Sequence, residues 1–213
     1  MISPISLLPL LWCLVLALPR TNNQEGMLVS VADDSEAIGD FLQAIDFYVD
    51  FFTGFFIGKS HRPKYPNFKQ CDSRWKDDRI QNKTIWEAGS LISSVSMALH
   101  KNDKKIDGLN AYPKTLNNWL DNNEGYRNGS FVWKSVEKLG LWFIAEISDT
   151  NLINDYLSVP EYEIILNMHK GDHWALVTGS CRKGWTINDP RYSFKWYKYM
   201  QVSKAAIFKK WSI

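Results

Sequence analysis

The chain has 213 residues, a formal net charge of +2 and ten tryptophans. This length is enough for one domain with a complete hydrophobic core plus accessory segments. Positive and negative residues are interspersed, so no basic patch argues for nucleic-acid binding. The many aromatic residues are interpreted as a bulky core, although stacking platforms for a peptide or a glycan are the alternative.

The first nineteen residues predict a signal peptide. They carry no charged side chain and contain an apolar run from Ile5 to Leu18, which is short and broken by proline. Such a run is typical of a signal-peptide core rather than a membrane-spanning helix, although the cleavage site is poor and an uncleaved anchor is the alternative. Glycosylation acceptor triplets begin at Asn82 and Asn128. We therefore expect a secreted or lumenal protein without a membrane span after signal removal.

Residues 20–62 are interpreted as a linker followed by an amphipathic aromatic helix over 36–57. One face of that helix would be acidic and the opposite face aromatic. A membrane-surface helix normally carries lysine or arginine on its polar face, so this pattern favours docking on protein, as a pro-segment or an arm. An integral helix of the following domain is the alternative. The acidic face comprises Glu36, Asp40, Gln43, Asp46 and Asp50, and the aromatic face comprises Phe41, Ile45, Tyr48, Phe52, Phe55 and Phe56.

Residues 63–213 are interpreted as one domain that begins with helices. A helix over Ser90–Lys101 is apolar nearly all round and rich in small residues, which is typical of a buried helix. A second helix is predicted in KTLNNWLDNNEGY, ending before Gly125. A third is predicted from near Ser130 to Gly140, and TNLINDYL suggests a short fourth.

The C-terminal part changes to short β-prone runs separated by turn residues. The order therefore predicts an α+β domain in which a buried central helix packs on a C-terminal antiparallel sheet. The predicted strands are YEIILNM, HWALVTGS, GWTINDP, FKWYKYM and AAIFKKW.

One predicted hairpin brings a histidine and a carboxylate together. If HWALVTGS and GWTINDP pair about a turn at Cys181–Gly184, His173 and Asp189 lie within one or two positions of each other across the ladder. A carboxylate that reaches an imidazole fixes its tautomer and stabilises its protonated form. A partly buried structural histidine is the alternative interpretation.

The start of the buried helix is the complementary half of such a site. A helix N-terminus lowers the pKa of a thiol and offers free backbone N–H groups to an oxyanion, as in Cys–His hydrolases. The residue at this position is Ser90. Serine is also among the best helix N-cap residues, which is the purely structural alternative.

The remaining cysteines and histidines give weaker signals. Cys71 and Cys181 either form one disulfide or remain separate thiols. The other histidines do not form a metal-binding spacing with the cysteines, and no phosphate-binding glycine loop is present, so we expect neither metal nor cofactor.

From Tyr65 to Gln201 the chain resembles the C-39-like peptidases, relatives of the bacteriocin-processing (double-glycine) peptidases in the papain-like superfamily. The stretches that carry the resemblance are YPNFKQCDSRWKDDRI, TIWEAGSLISSVSMALHKN, LNNWLDNNEGY and HWALVTGSCRKGWTINDP. The resemblance implies a papain-like fold in which Gln70 supplies an oxyanion donor, His173 is the general base and Asp189 orients it. Ser90 then occupies the position of the family's nucleophilic cysteine, and Trp86 also departs from the family's pattern.

The serine decides the functional expectation. A Cys–His site works because the thiolate–imidazolium pair forms before attack, whereas a serine must lose its proton during attack. We therefore expect a catalytically inactive pseudopeptidase that binds a peptide or protein in the cleft. The alternatives are an active hydrolase using Ser90, His173 and Asp189, a cysteine enzyme altered to trap its substrate, and a secreted protein with a purely structural role.

Overall fold

The computed structural model describes residues 65–168, 173–182 and 184–211. The predicted signal peptide, linker and aromatic helix over residues 1–62 lie outside the described residues. Within them the protein is a mixed α+β structure, which confirms the fold class at that level. None of the helices described is long and apolar enough to cross a membrane.

A six-stranded antiparallel sheet forms the centre of the domain, in the spatial order β11-β10-β9-β8-β12-β7. Its strands are β7 (Leu141–Ile147), β8 (Tyr162–Met168), β9 (His173–Cys181), β10 (Gly184–Asn188), β11 (Trp196–Lys198) and β12 (Val202–Lys210). The predicted run FKWYKYM therefore splits into a three-residue strand and a 3-10 turn at Tyr199–Gln201. β8 is buried on both faces, since six successive residues from Glu163 to Met168 are buried.

Within the described residues, four α-helices accompany the sheet. They are α1 (Ile85–Ala88), α2 (Ser90–Lys101), α3 (Pro113–Asn122) and α4 (Thr150–Ser158). The predicted limits of α2 are confirmed, and nine of its residues are buried. Its apolar side chains share a core with Ile165, Leu176 and Phe208 of the sheet. The opposite face of the sheet packs a second core that includes Ile153 and Leu157 of α4.

The prediction of a third helix starting near Ser130 is wrong. Ser130 lies in a two-residue strand, and a 3-10 helix covers only Trp133–Leu139 before Gly140 ends it with a φ of +87°. The Asn128–Gly129 pair instead forms a tight hairpin turn, because both residues adopt the positive φ that such turns require. A second hairpin turns at Asp107–Gly108 in the same way. The small hairpins are β1–β2 (Arg79–Ile80, Lys83–Thr84), β3–β4 (Lys105–Ile106, Leu109–Asn110) and β5–β6 (Tyr126–Arg127, Ser130–Phe131).

The expectation that all sheet strands follow all helices is also wrong, because β7 precedes α4 along the chain. β7 pairs with β12 and forms one edge of the sheet. Its residues alternate between buried and exposed from Leu141 onward, which is the pattern of a strand with one solvated face. The sequence interpretation had assigned no element there.

Candidate functional site

Ser90 begins α2 because two short-range features define that point. Thr84 and Glu87 form a reciprocal capping box at the start of α1, with the Thr84 N–H donating to Glu87 Oε2 at 2.7 Å. Gly89 follows α1, and a Cβ at this position would overlap the carbonyl oxygen of Ile85. The chain can therefore pass directly from α1 into α2 only with glycine at the junction, and Ser90 becomes the first residue of α2.

The Ser90 hydroxyl does not cap its own helix. Gly89 is the N-cap residue and no side chain caps this end, so the capping interpretation of Ser90 is wrong. Instead Ser90 Oγ accepts a hydrogen bond from the backbone N–H of Trp174 at 3.2 Å. Ser94, one turn further along α2, donates to the carbonyl oxygen of Trp174 at 3.4 Å. The start of the buried helix is thereby joined to the residue that follows His173.

His173 and Asp189 form the pair that the hairpin predicts. β9 and β10 are antiparallel, with Asn188 opposite Leu176, so Asp189 lies two positions from His173 along the ladder. His173 Nε2 donates to Asp189 Oδ2 at 2.8 Å, and both side chains are almost fully buried. The ring of Tyr192 meets the imidazole edge-to-face, with 5.1 Å between ring centres. The imidazole is therefore fixed in orientation on two sides.

Three further donors satisfy the Asp189 carboxylate. Tyr197 donates its hydroxyl to Oδ2 at 2.6 Å, and the backbone N–H groups of Arg191 and Tyr192 donate to Oδ1 at 2.7 Å each. Burial alone would raise the pKa of this carboxyl group, but the bonds from His173, Tyr197 and the Tyr192 amide outweigh it. The pKa of Asp189 is lowered as a result, and the group is ionised at neutral pH.

Gln70 lies beside the start of the helices, but its side chain is engaged. Its Nε2 donates to the carbonyl oxygen of Trp86, while its buried Oε1 has no hydrogen-bond partner among the described residues. The side-chain N–H expected to hold an oxyanion therefore bonds to the backbone in this state. The residue is held in place through its own N–H, which donates to the carbonyl oxygen of Pro190 at 2.9 Å.

The neighbouring Lys69 fastens the turn that carries Asp189. Its ammonium group donates to the carbonyl oxygens of Asp189 at 2.6 Å and of Tyr192 at 2.5 Å. Burial lowers the pKa of Lys69, and the negative charge of Asp189 partly opposes that shift. Lys69 thus connects the loop that contains Gln70 to the turn after β10.

A cleft of about 440 Å³ opens next to this group. It is lined by Gln70, Cys71, Trp86, Glu87, Arg191 and Tyr192. The sequence interpretation identified Gln70 and noted Trp86, but it missed Lys69, Arg191, Tyr192 and Tyr197 as parts of the site. Arg191 and Tyr192 follow Asp189 closely in the stretch NDPRY, so their nearness in sequence was an available signal. Lys69 and Tyr197 carried no sequence signal that distinguishes them from ordinary core or surface residues.

No group of histidine, cysteine or carboxylate side chains suited to a metal ion occurs within residues 65–168, 173–182 and 184–211. Cys71 is exposed and Cys181 half-buried, and the two are not joined to each other by a disulfide. His100 packs its ring against Phe68 and Tyr112 at the end of α2, in an aromatic cluster away from His173.

No protein-family model matches the chain, and no characterised protein or solved structure matches it. The site is therefore interpreted from its own geometry: a serine at the start of a buried helix, a buried imidazole paired with an ionised carboxylate, and a cleft beside them.

Proposed function

We propose that the protein is a papain-like, C-39-like peptidase-domain protein that binds a peptide or protein ligand in its cleft without hydrolysing it. One observation carries the proposal: Ser90, at the start of the buried helix, accepts a hydrogen bond from the amide next to His173, and His173 is paired with Asp189. These are the three positions to which the resemblance assigns nucleophile, base and orienting carboxylate.

Two features support binding over hydrolysis. Among the described residues the Ser90 hydroxyl has the Trp174 amide as its hydrogen-bond partner, and it is not bonded to the imidazole that would have to remove its proton. The Gln70 side-chain N–H, the proposed oxyanion donor, is bonded to the Trp86 carbonyl. A serine in this arrangement lacks the preformed ion pair of a Cys–His site, and the Gln70 amide is committed to the Trp86 carbonyl through one of its two N–H bonds.

The second candidate is an active hydrolase that uses Ser90, His173 and Asp189. The specific support is the complete hydrogen bonding of Asp189, which keeps the carboxylate ionised behind His173. Catalytic hydrogen bonds are often long without substrate and shorten when it binds, so the missing Ser90–imidazole bond is compatible with this candidate.

The deciding experiment restores the thiol. In a full-length background carrying Cys13→Ser, Cys71→Ser and Cys181→Ser, the variant Ser90→Cys presents one thiol to a cysteine-directed probe and to a peptide library. We expect rapid labelling and a gain of peptide hydrolysis, because a thiolate can form next to His173 and at the helix start. Adding His173→Ala should abolish the hydrolysis and slow the labelling.

The parent with Ser90 should bind peptides and release no product. If the parent hydrolyses peptides and Ser90→Ala abolishes that activity, the serine-hydrolase candidate replaces the binding proposal. If Ser90→Cys is neither labelled faster than an exposed cysteine nor active, the peptidase ancestry of the site is rejected.

The same proposal places the protein in the secretory pathway, as a glycoprotein. Both acceptor asparagines, Asn82 and Asn128, are exposed at the turns of two-residue hairpins, where a transferase can reach them. A loss of mass on treatment with an N-glycosidase, absent in a double variant Asn82→Gln and Asn128→Gln, tests it.

A further inference from the structure

We propose that the cleft selects peptides in which a large aromatic side chain stands next to a carboxylate. Trp86 and Tyr192 would contact the aromatic ring, and Arg191 would contact the carboxylate. This inference rests on the proposed function, since it takes the cleft as a peptide site, and it names the class of ligand.

Trp86 has a fixed backbone and an exposed side chain at the cleft. Its backbone is held on both sides, because its N–H donates to the Lys76 carbonyl at 2.9 Å and its carbonyl accepts from Gln70 Nε2. Its side chain is nevertheless 56 % exposed and lines the cleft one helical turn before Ser90. A large apolar ring that is uncovered and carried by a fixed backbone is suited to stacking on a ligand.

Tyr192 provides the second aromatic surface. It is half-buried, lines the same cleft and packs its ring on His173 and on Phe194, with 5.1 Å and 5.4 Å between ring centres. Its backbone is held by Asp189 and by Lys69. The cleft therefore presents two aromatic side chains whose backbones are fixed. Its volume of about 440 Å³ is within the range of small-ligand pockets, which suits one bulky side chain of a peptide together with its neighbours.

The charged side chains in and beside the cleft set the second requirement on the ligand. Glu87 is engaged, since its carboxylate accepts from both the N–H and the hydroxyl of Thr84. Arg191 is exposed and lies over the Tyr192 ring at 5.4 Å, and no carboxylate pairs with it within the described part of the chain. Lys69 and Lys195 add positive charge beside the same turn. The donors to Glu87 are neutral and leave its negative charge in place, but the three cations around the turn from Asp189 to Lys195 outnumber Glu87 and the paired Asp189. The positive charge of Arg191 therefore favours a carboxylate in the ligand at that end of the cleft and disfavours a lysine there.

The test uses dye-labelled hexapeptides and fluorescence anisotropy with the full-length protein. One peptide carries phenylalanine followed by aspartate between glycines; in its partners the phenylalanine is replaced by alanine, or the aspartate by lysine. We expect the first peptide to bind at least about tenfold more tightly than either partner, because both the aromatic contact and the charge contact are needed.

Two variants and two matched controls locate the contacts. Trp86→Ala should weaken the first peptide roughly tenfold, as expected for an aromatic anchor. Arg191→Gln should weaken it several-fold and remove most of its salt dependence. Trp142→Ala removes another exposed tryptophan on the edge strand β7, and Arg182→Gln removes an arginine at the far end of the β9–β10 hairpin. Neither control should change the affinity.

Equal affinity for all three peptides, a preference for the lysine peptide, or unchanged binding in Trp86→Ala and Arg191→Gln would each overturn the inference. Unselective binding of all three would leave the proposed peptide-binding function standing. Absence of binding to any of them also overturns the inference, and the Ser90→Cys hydrolysis assay then decides the proposed function separately.

Discussion

Two carboxylates are almost completely buried in the part of the chain that the structure describes, and they are satisfied in different ways. Glu163 on β8 is 0 % exposed and accepts from Tyr65, Lys101 and Asn102 at 2.7 to 2.8 Å. Asp189 is 1 % exposed and accepts from an imidazole, a tyrosine hydroxyl and two backbone amides. The burial is the same, but the basic partner of the carboxylate is a lysine in one case and a histidine in the other.

The difference separates a structural ion pair from the pair to which the proposed function assigns proton transfer, called the functional pair below. Lysine keeps its charge throughout the physiological range, so Lys101 and Glu163 form a permanent link between the end of α2 and the sheet. An imidazole gains and loses its proton near neutral pH. Because three other donors hold the Asp189 carboxylate, its charge remains satisfied when the imidazole is neutral. The second arrangement suits proton transfer, and the first suits stability.

The two networks are joined by one segment of chain. Tyr65 donates to Glu163, while Lys69 and Gln70 bond to the turn from Asp189 to Tyr192. A change at the structural pair is therefore expected to affect the whole fold, whereas a change at the functional pair is expected to act locally and to depend on pH.

Removing the cation of the structural pair should have the largest effect on stability. Lys101→Met keeps the length of the side chain but leaves Glu163 buried with its principal counter-charge removed. We expect the free energy of unfolding to fall by about 3 kcal/mol, the cost of breaking a buried pair. Urea titration measures it, and Lys114→Met, which removes an exposed pair with Asp78, should cost less than about 0.5 kcal/mol. Equal costs for the two variants would show that the Glu163 pair is not structural.

The functional pair should show a smaller effect that depends on pH. Asp189→Asn replaces a carboxylate by an amide that cannot accept all four hydrogen bonds, and we expect a loss of about 2 kcal/mol at neutral pH. The folded pKa of Asp189 lies below its ordinary value of 3.8, so its carboxylate stabilises the fold above that value. This stabilisation is lost as pH falls through the folded pKa. The difference between wild type and variant should therefore shrink below about pH 4.

Urea titrations between pH 7 and pH 3 follow this difference. Asp121→Asn is the control, because its pKa is shifted in the opposite direction from that of Asp189. Partial burial raises the pKa of Asp121, so its charge does not stabilise the fold. That variant should lose no stability at neutral pH. If Asp189→Asn lowers the free energy of unfolding by the same amount at every pH, the surrounding donors do not stabilise the charge of the Asp189 carboxylate.

The sequence was sufficient to predict the parts of the site that depend on local periodicity. The change from Gly89 to a helix rich in small residues located Ser90, and counting across one hairpin brought His173 to Asp189. These predictions succeeded because a helix start and a tight antiparallel ladder are determined by neighbouring residues. The Asn128–Gly129 turn was equally local, yet it was interpreted as a helix start, although this pair is the strongest short signal for a hairpin.

The remaining parts of the site depend on contacts between distant residues. Lys69 meets the carbonyl of Asp189 across 120 residues of sequence, and Gln70 bonds to a main-chain oxygen, which any residue could offer. Neither contact leaves a periodic pattern. β7 was missed for a related reason: its sequence LWFIAEI is apolar at six of seven positions and so hides the alternation of its exposure, and its partner β12 lies more than 50 residues further along the chain.

The smallest expected effects distinguish Ser90 from the other serines of the same helix. Ser90→Ala removes the acceptor of the partly buried Trp174 amide, so we expect a loss of about 1 kcal/mol in the free energy of unfolding. Ser96 is buried in the same helix, and its hydroxyl has no hydrogen-bond partner among the described residues. Ser96→Ala should therefore stabilise the fold by about 0.5 kcal/mol, since it removes an unsatisfied polar group and improves helix propensity. Opposite signs in matched urea titrations are the expected result. Shifts of the same sign would mean that Ser90 merely fills space, and the contact that joins the helix start to His173 would lose its energetic support.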